Sequence, residues 1–64
     1  MLIMKIQAHE VKKGDQVKSQ GGTVFVVLEV LPDGNIFMER VTGRGEWSYT
    51  PNEFNRAGFS RIKT

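Results

Sequence analysis

The 64-residue sequence has no cysteine, one histidine and two prolines. Without cysteine there is no disulfide and no thiolate metal site, and His9 alone does not make a histidine-based metal site. The longest apolar run is Val24 to Leu28, and five residues are far fewer than the roughly 20 that cross a bilayer as a helix. The chain is therefore a small domain without covalent or metal supports, for which self-association is the remaining common source of stability.

The composition is that of a folded globular domain. Hydrophobic residues make up 39% and charged residues 25% of the sequence, which is more apolar than disordered chains are. The segment from Met1 to Lys5 lacks the charged region, long apolar stretch and cleavage site of a secretory signal. We therefore expect a cytoplasmic protein with no membrane association, formed by one domain over residues 1–64. We expect no cofactor, because the sequence has no glycine-rich phosphate-binding motif and no calcium-loop spacing.

Charge is unevenly distributed along the chain. The net charge is +2, with four lysines against two acids in residues 1–20, three acids and no base in residues 21–39, and five bases against two acids in residues 40–64. A polyanion would be attracted to the basic ends and repelled by the acidic middle. RNA or DNA is therefore a candidate partner, although this footprint is weaker than that of a dedicated nucleic-acid-binding protein.

Glycines and prolines divide the chain into short segments about ten residues apart. β-branched and aromatic residues predict strands at residues 2–8, 16–19, 23–31, 46–49 and 59–62, with a hairpin arm returning after residue 34. Gly14 is expected to supply a positive φ in the bend before the second strand, with Val11 tucked beneath it. Short strands at this spacing predict an all-β fold.

A short helix is predicted between the last two strands. Thr50 suits the N-cap, Pro51 the first helical position, and Glu53 the position from which a side chain reaches back to the N-cap amide. Gly58 offers a C-terminal cap. Phe54 and Ala57, three residues apart, are expected to face the sheet.

The turn from Leu31 to Gly34 is expected to close a hairpin with a three-residue loop. The preferred register pairs Val30 with Ile36, Leu28 with Met38 and Val26 with Arg40. In the alternative register, a two-residue loop would turn Phe37 toward the core. The preferred register predicts an aliphatic core that consists of Val24, Val26, Leu28, Val30, Ile36, Met38, Phe54 and Ile62.

The order of these elements resembles that of SH3-like and KOW-type barrels. The resemblance is carried by the bend at residues 10–17, by the long strand at residues 22–30, and by the helical turn and last strand at residues 50–62. It implies an all-β fold, a five-stranded SH3-like barrel with one short helical turn between strands 4 and 5. It does not identify a function, because small barrels host many functions.

Two families share parts of this pattern. The opening strand, bend and hairpin resemble the N-terminal KOW-like domain of bacterial elongation factor P, which implies an RNA-rich setting. Gly14-Asp15-Gln16-Val17 and Tyr49-Thr50-Pro51 resemble the plasmid-encoded SH3-like dihydrofolate reductases, which act as tetramers. That family's motif requires glutamine two residues before the tyrosine, where this chain has Trp47. Reductase activity is therefore not expected.

Trp47 and Tyr49 alternate along one predicted strand and so point to the same face. If that face is exposed, the two rings can stack on nucleobases and the nearby arginine and lysine side chains can contact phosphates. Otherwise the rings belong to the core or to a dimer interface. The leading hypothesis is a non-catalytic module that binds RNA or DNA weakly. Its candidate binding residues are Trp47, Tyr49, Arg40, Arg44, Arg61 and Lys63.

A second candidate surface lies on the opposite side of the predicted hairpin. In the preferred register, Phe25, Val27 and Phe37 form an exposed apolar patch with an acidic rim, and such patches mark interfaces. The alternative function is therefore a protein-interaction or assembly module, of the kind encoded by phages and mobile elements, with a protein partner or a second copy of the chain. An enzyme is not expected, because one histidine and no assignable nucleophile give no catalytic set.

Overall fold

The computed structural model describes residues 4–43 and 45–62. Its strands form one antiparallel sheet. A 3-10 helix, Ala8–Glu10, follows the first strand, and the helix α1, Pro51–Ala57, lies between the last two. The all-β prediction with one short helix is confirmed. The strands are β1 Met4–Lys5, β2 Gln16–Lys18, β3 Val24–Val30, β4 Ile36–Arg40, β5 Glu46–Tyr49 and β6 Ser60–Arg61. Their order across the sheet is β1-β6-β2-β3-β4-β5.

The described part of the sheet has six strand segments, whereas the predicted fold has five. The returning arm of the hairpin forms a strand of its own, β4. The first predicted strand, residues 2–8, is represented by the two residues of β1, because the chain turns into the 3-10 helix at Ala8. The predicted positions 2 and 3 lie outside the described residues.

The hairpin tip between β3 and β4 has the predicted geometry. Gly34 has a φ of +93°, and its amide donates to the carbonyl of Leu31 at 2.8 Å. The Asp33 carboxylate accepts from the Asn35 amide at 3.0 Å, which holds the loop in an Asx turn. Val30 pairs with Ile36, so the preferred register is confirmed at the tip and the two-residue alternative is wrong.

A β-bulge at Leu28 changes the register beyond the tip. The pairing shifts between Val27 and Glu29, so Val27 lies opposite Met38 and Phe25 opposite Arg40. The predicted pairs Leu28–Met38 and Val26–Arg40 are therefore wrong. Because a bulge inserts one residue, it exchanges the two faces of the strand on its far side. The residues at 25 and 27 turn inward, and those at 24 and 26 turn outward.

The core forms on one side of the curved sheet, beneath α1. Phe54 of the helix stacks on Phe59 with ring centroids 4.7 Å apart. Of the predicted core only Ile36, Met38 and Phe54 are fully buried. The other five, Val24, Val26, Leu28, Val30 and Ile62, are half-buried. The core consists of Ile6, Ala8, Val11, Val17, Phe25, Val27, Ile36, Met38, Phe54 and Phe59.

The ends of α1 follow the sequence signals closely. The Thr50 hydroxyl accepts from the Glu53 amide at 3.2 Å, while the Glu53 carboxylate accepts from the Thr50 amide at 2.9 Å. Gly58 ends the helix with a φ of +73°. The side-chain carbonyl of Asn55 accepts from the Ala8 amide at 2.7 Å and so ties α1 to the 3-10 helix. The capping-box prediction is confirmed.

Candidate functional site

Trp47 and Tyr49 lie on the core side of the sheet, at its β5 edge. They pair with Met38 and Ile36, which are fully buried, and paired residues share a face. Both rings are half-buried and pack against the core. The prediction that the two side chains share a face is confirmed. Each ring is partly accessible to solvent and partly covered by the core.

Both rings make edge-to-face contacts with core phenylalanines. The Trp47 ring centroid is 5.6 Å from that of Phe25 at an interplanar angle of 82°. The Tyr49 centroid is 5.4 Å from that of Phe59 at 87°. Edge-to-face geometry is the favoured arrangement for aromatic pairs, worth about 0.5–1.5 kcal/mol beyond the area buried. These contacts fix the orientation of both rings, which stay half-exposed at the rim of the core.

Arg40 lies directly over Trp47. Its guanidinium carbon is 4.9 Å from the centroid of the indole ring, which is within cation–π range. Arg40 is opposite Phe25, whose side chain is buried, so the arginine extends along the core-side face toward the indole. Its Nε is buried and has no hydrogen-bond acceptor among the described residues. The guanidinium is therefore held in place by stacking on the indole, and no hydrogen bond to its Nε contributes within the described residues.

The turn after β4 closes around this pair. The Arg40 amide donates to the Gly45 carbonyl at 3.1 Å. A Cβ at Gly45 would lie 2.5 Å from Cη2 of Trp47, and a Cβ at Gly43 would lie 3.8 Å from Cδ of Arg40. The turn therefore needs glycine at residue 45 for the indole to sit where it does. Glycine at residues 43 and 45 is typical of a turn, but the sequence carries no signal of this contact with the indole.

Arg61 occupies a different environment from Arg40. Its guanidinium donates to the Glu10 carbonyl at 3.1 Å and lies 3.5 Å from the Asp15 carboxylate. That carboxylate also accepts from the Lys12 amide at 2.9 Å. Arg61 thus ties β6 to the bend before β2 rather than contacting Trp47. The other two predicted bases, Arg44 and Lys63, lie outside the described residues.

The predicted apolar patch is corrected by the bulge. Phe25 is 6% exposed and Val27 is 1% exposed, so both belong to the core and neither is available to a partner. Their exposure was predicted from a register that continued without interruption past Leu28. Phe37, on the β4 side, is 37% exposed as expected. The outward positions of β3 are held by Val24 and Val26 instead.

Glu53, whose side chain caps α1, has a carboxyl group with a perturbed pKa. The Thr50 amide, and secondarily its hydroxyl, hydrogen-bond Glu53 and lower the pKa of its carboxyl below the ordinary value of 4.5. Within residues 4–43 and 45–62, no three acidic or histidine side chains converge as metal ligands. Over the same ranges, no helix has the length and apolar character needed to cross a membrane.

A shallow depression of about 230 Å³ lies at the bend before β2, lined by Gly14, Asp15, Gln16 and Ile62. Its carboxylate is already engaged by Arg61 and by the Lys12 amide, so its lining offers no unused charge. The Arg40–Trp47 pair is therefore the better candidate site. Comparisons with protein-family models, curated proteins and solved structures returned no match for this chain.

Proposed function

We propose that this protein is a non-catalytic binding module that holds single-stranded nucleic acid at the rim formed by Arg40, Trp47 and Tyr49. The observation that carries the proposal is the state of Arg40. Its guanidinium is stacked on Trp47, and its buried Nε has no acceptor within residues 4–43 and 45–62. A buried donor without a partner costs about 1–3 kcal/mol, and an ionised group more. A ligand that supplies an acceptor there recovers that cost.

A phosphate group is the acceptor that best fits a stacked guanidinium. Arginine presents Nε and the terminal nitrogens as a planar fork, which matches two oxygens of a phosphate. Gly43 lies beside the Arg40 side chain, since a Cβ there would be 3.8 Å from Cδ and 4.0 Å from Nη1. Because Nε is buried, a ligand that reaches it must displace some of the groups around it. Trp47 is half-exposed beside the guanidinium, and Tyr49 is half-exposed two residues further along the same face of β5. These two rings then supply stacking surface for unpaired bases. Phosphate contact and base stacking together describe single-stranded RNA or DNA.

Charge placement supports the same face. Glu39 and Glu46 are sequence neighbours of Arg40 and Trp47, but strand alternation turns them to the opposite side of the sheet. The core-side rim therefore keeps its positive group away from the nearest carboxylates. With only one or two phosphate contacts, binding is expected to be weak, in the range of about 10⁻⁴–10⁻⁶ M at physiological salt.

The proposed module is an SH3-like barrel built from β2 to β6. Two observations support closure of the sheet. The order places β6 beside β2 and puts α1 immediately before the last strand, as in the expected barrel. The rings of Tyr49 and Phe59 touch across the core, although β2, β3 and β4 lie between their ends of the sheet. Nuclear Overhauser contacts between these two rings test the closure in solution, and their absence would contradict it.

The binding proposal is tested by fluorescence anisotropy with labelled oligothymidylate and oligouridylate of about 15 nucleotides. Arg40→Gln is expected to weaken binding by roughly 10- to 100-fold, the effect of one charge-assisted contact. Arg56→Gln is the matched control, because it removes the same charge from an exposed position in the last turn of α1. Its effect is expected to be less than about threefold, since it removes only a distant screened charge.

Three outcomes would overturn the proposal. One is no binding of either oligonucleotide at low salt. Another is equal weakening by Arg40→Gln and Arg56→Gln, which would reduce the interaction to net charge. The third is a preference for duplex over single strands, which would contradict the role given to Trp47 and Tyr49. The two labelled probes also show whether RNA or DNA binds better.

A further inference from the structure

The outward face of the β3–β4–β5 sheet has an unusual composition for a solvent-facing surface. Such faces of antiparallel sheets are normally polar. Here the bulge turns Val24 and Val26 outward, where both are half-buried. Phe37 and Val41 are 37% and 48% exposed on the neighbouring strand and its end. The described helix α1 packs on the other side of the sheet, through Phe54 and Phe59.

Carboxylates surround this apolar band. Glu29 lies opposite Phe37, and Glu39 lies between Val26 and Glu46. Among the described residues, no base lies on this face of β3, β4 or β5. The pairing places Lys18 opposite Val24 on β2, and Lys5 further along the same side, beyond Ser60. The three carboxylates outnumber these two lysines, so the face is net negative. It therefore repels nucleic acid, and it also repels a second copy of itself.

The pair Glu39–Glu46 shows what would stabilise the face. These residues sit directly opposite each other on adjacent strands, where like charges destabilise a sheet. Neither carboxylate forms a salt bridge among the described residues, whose one ion pair is Arg61–Asp15. A cation placed between the two would convert their repulsion into attraction. No described side chain of this chain does so.

We propose that the outward face, defined by Val24, Val26, Phe37 and Val41 with the rim Glu29, Glu39 and Glu46, docks a basic amphipathic segment of another protein. The partner's apolar side chains cover the valine and phenylalanine band, and its lysines or arginines meet the glutamates. This surface is on the opposite side of the sheet from the Arg40–Trp47 site. It does not depend on the proposed nucleic-acid binding.

The test uses an 18-residue model peptide of leucine and lysine that forms an amphipathic helix, with titration followed by isothermal calorimetry. Glu39→Gln/Glu46→Gln is expected to weaken binding about fivefold or more, since two exposed charge pairs are lost. Asp33→Asn/Glu10→Gln is the matched control, because it removes two charges elsewhere and keeps both hydrogen-bond acceptors. The control is expected to change affinity by less than about twofold.

A second variant tests the apolar part of the surface. Phe37→Thr keeps a residue that favours strands and removes the exposed ring, and it is expected to weaken binding while leaving the urea unfolding midpoint nearly unchanged. A peptide with glutamate in place of lysine is expected not to bind. Equal weakening by both double variants would overturn the proposal, as would full affinity in Phe37→Thr.

Self-association is a separate outcome of the same series. Sedimentation velocity of the free protein over a range of concentrations is expected to show a monomer. A dimer that dissociates in Phe37→Thr would show that a second copy occupies this face, and the proposed partner class would then be wrong. Because oligonucleotide binding is measured independently on Arg40→Gln, failure of either proposal leaves the other standing.

Discussion

Replacing Gly45 with alanine should separate the packing of Trp47 from the rest of the fold. The added Cβ would lie 2.5 Å from Cη2 and 2.6 Å from Cζ3 of the indole. Ordinary carbon contacts are about 3.5–4.0 Å, so the ring must move by roughly 1 Å. Gly45 also has a φ of +152°, which a residue with a side chain adopts only under strain. Overpacking of this kind costs about 1–3 kcal/mol.

That cost is large for a chain of 64 residues. Domains are stable by about 0.05–0.15 kcal/mol per residue, which gives roughly 3–10 kcal/mol in total here. With a urea dependence near 1 kcal/mol per molar, Gly45→Ala is expected to lower the unfolding midpoint by about 1–3 M. Trp47 is the sole tryptophan, so its fluorescence follows the transition directly. Displacing its ring also removes the support of Arg40, so oligonucleotide affinity should fall in the same variant.

Gly21→Ala is the control for this experiment. Gly21 is also in a turn, but its φ is not positive and a Cβ there would meet only the Ser19 hydroxyl, at 3.9 Å. Alanine at such a position is neutral or stabilises by about 0.4–1 kcal/mol, because the unfolded chain loses freedom. If Gly45→Ala and Gly21→Ala unfold at the same urea concentration, the close packing of the turn on the indole is refuted. If Gly45→Ala is destabilised but binds the oligonucleotide with unchanged affinity, the indole does not hold Arg40 in its binding position, and that part of the reasoning is refuted.

Two further predictions concern charge. Glu53 has a lowered pKa in the folded protein, so it stabilises above its ordinary value of 4.5 and this contribution is lost as the pH falls through the folded-state pKa. Glu53→Gln should therefore lower the thermal midpoint at pH 7 and leave it unchanged near pH 2; an equal loss at both would contradict the assignment. Glu46→Lys should raise stability by about 0.5–1 kcal/mol in urea unfolding, because an opposite-charge pair replaces Glu39–Glu46. Ser48→Lys places a lysine opposite Phe37 and changes the net charge by one unit, against two for Glu46→Lys. It should give no such gain, and a gain half as large would point to net charge instead.

Local signals were enough to predict the turns and the helix. The Thr50 and Glu53 side chains satisfy each other's backbone amides within four residues, and Gly58 ends the helix by its own conformational freedom. Gly34 likewise needs only its own positive φ and the preceding proline to form the hairpin tip. Such features depend on neighbours in sequence, so the sequence alone predicts them with their boundaries.

The bulge at Leu28 depends on contacts that are distant in sequence, and it was not predicted. Residues 24–28 are all apolar, so alternation does not distinguish the inward face of β3 from the outward one. The partner strand β4 decides which residues of β3 point inward. Met38 and Ile36 both point inward and pair with Val27 and Val30, so β3 needs an extra residue between these two positions. The one signal in the sequence is the apolar run at residues 24–28. A strand that is apolar on both faces presents one apolar face away from the core.

The same bulge accounts for the position of the candidate site. Sequence alternation placed Trp47 and Tyr49 on one face but did not show what they pack against, because Phe25 was assigned to the other side. With the extra residue at Leu28, Phe25 turns inward and meets the edge of Trp47, while Arg40 comes opposite Phe25 and lies over the indole. One inserted residue thus brings the arginine and the aromatic rings to the core-side rim. It also moves two valines to the outward face, beside the glutamates. The core-side rim therefore carries the positive Arg40 and the outward face carries carboxylates, which is why the two proposed partners, a nucleic acid and a basic segment, have opposite charge.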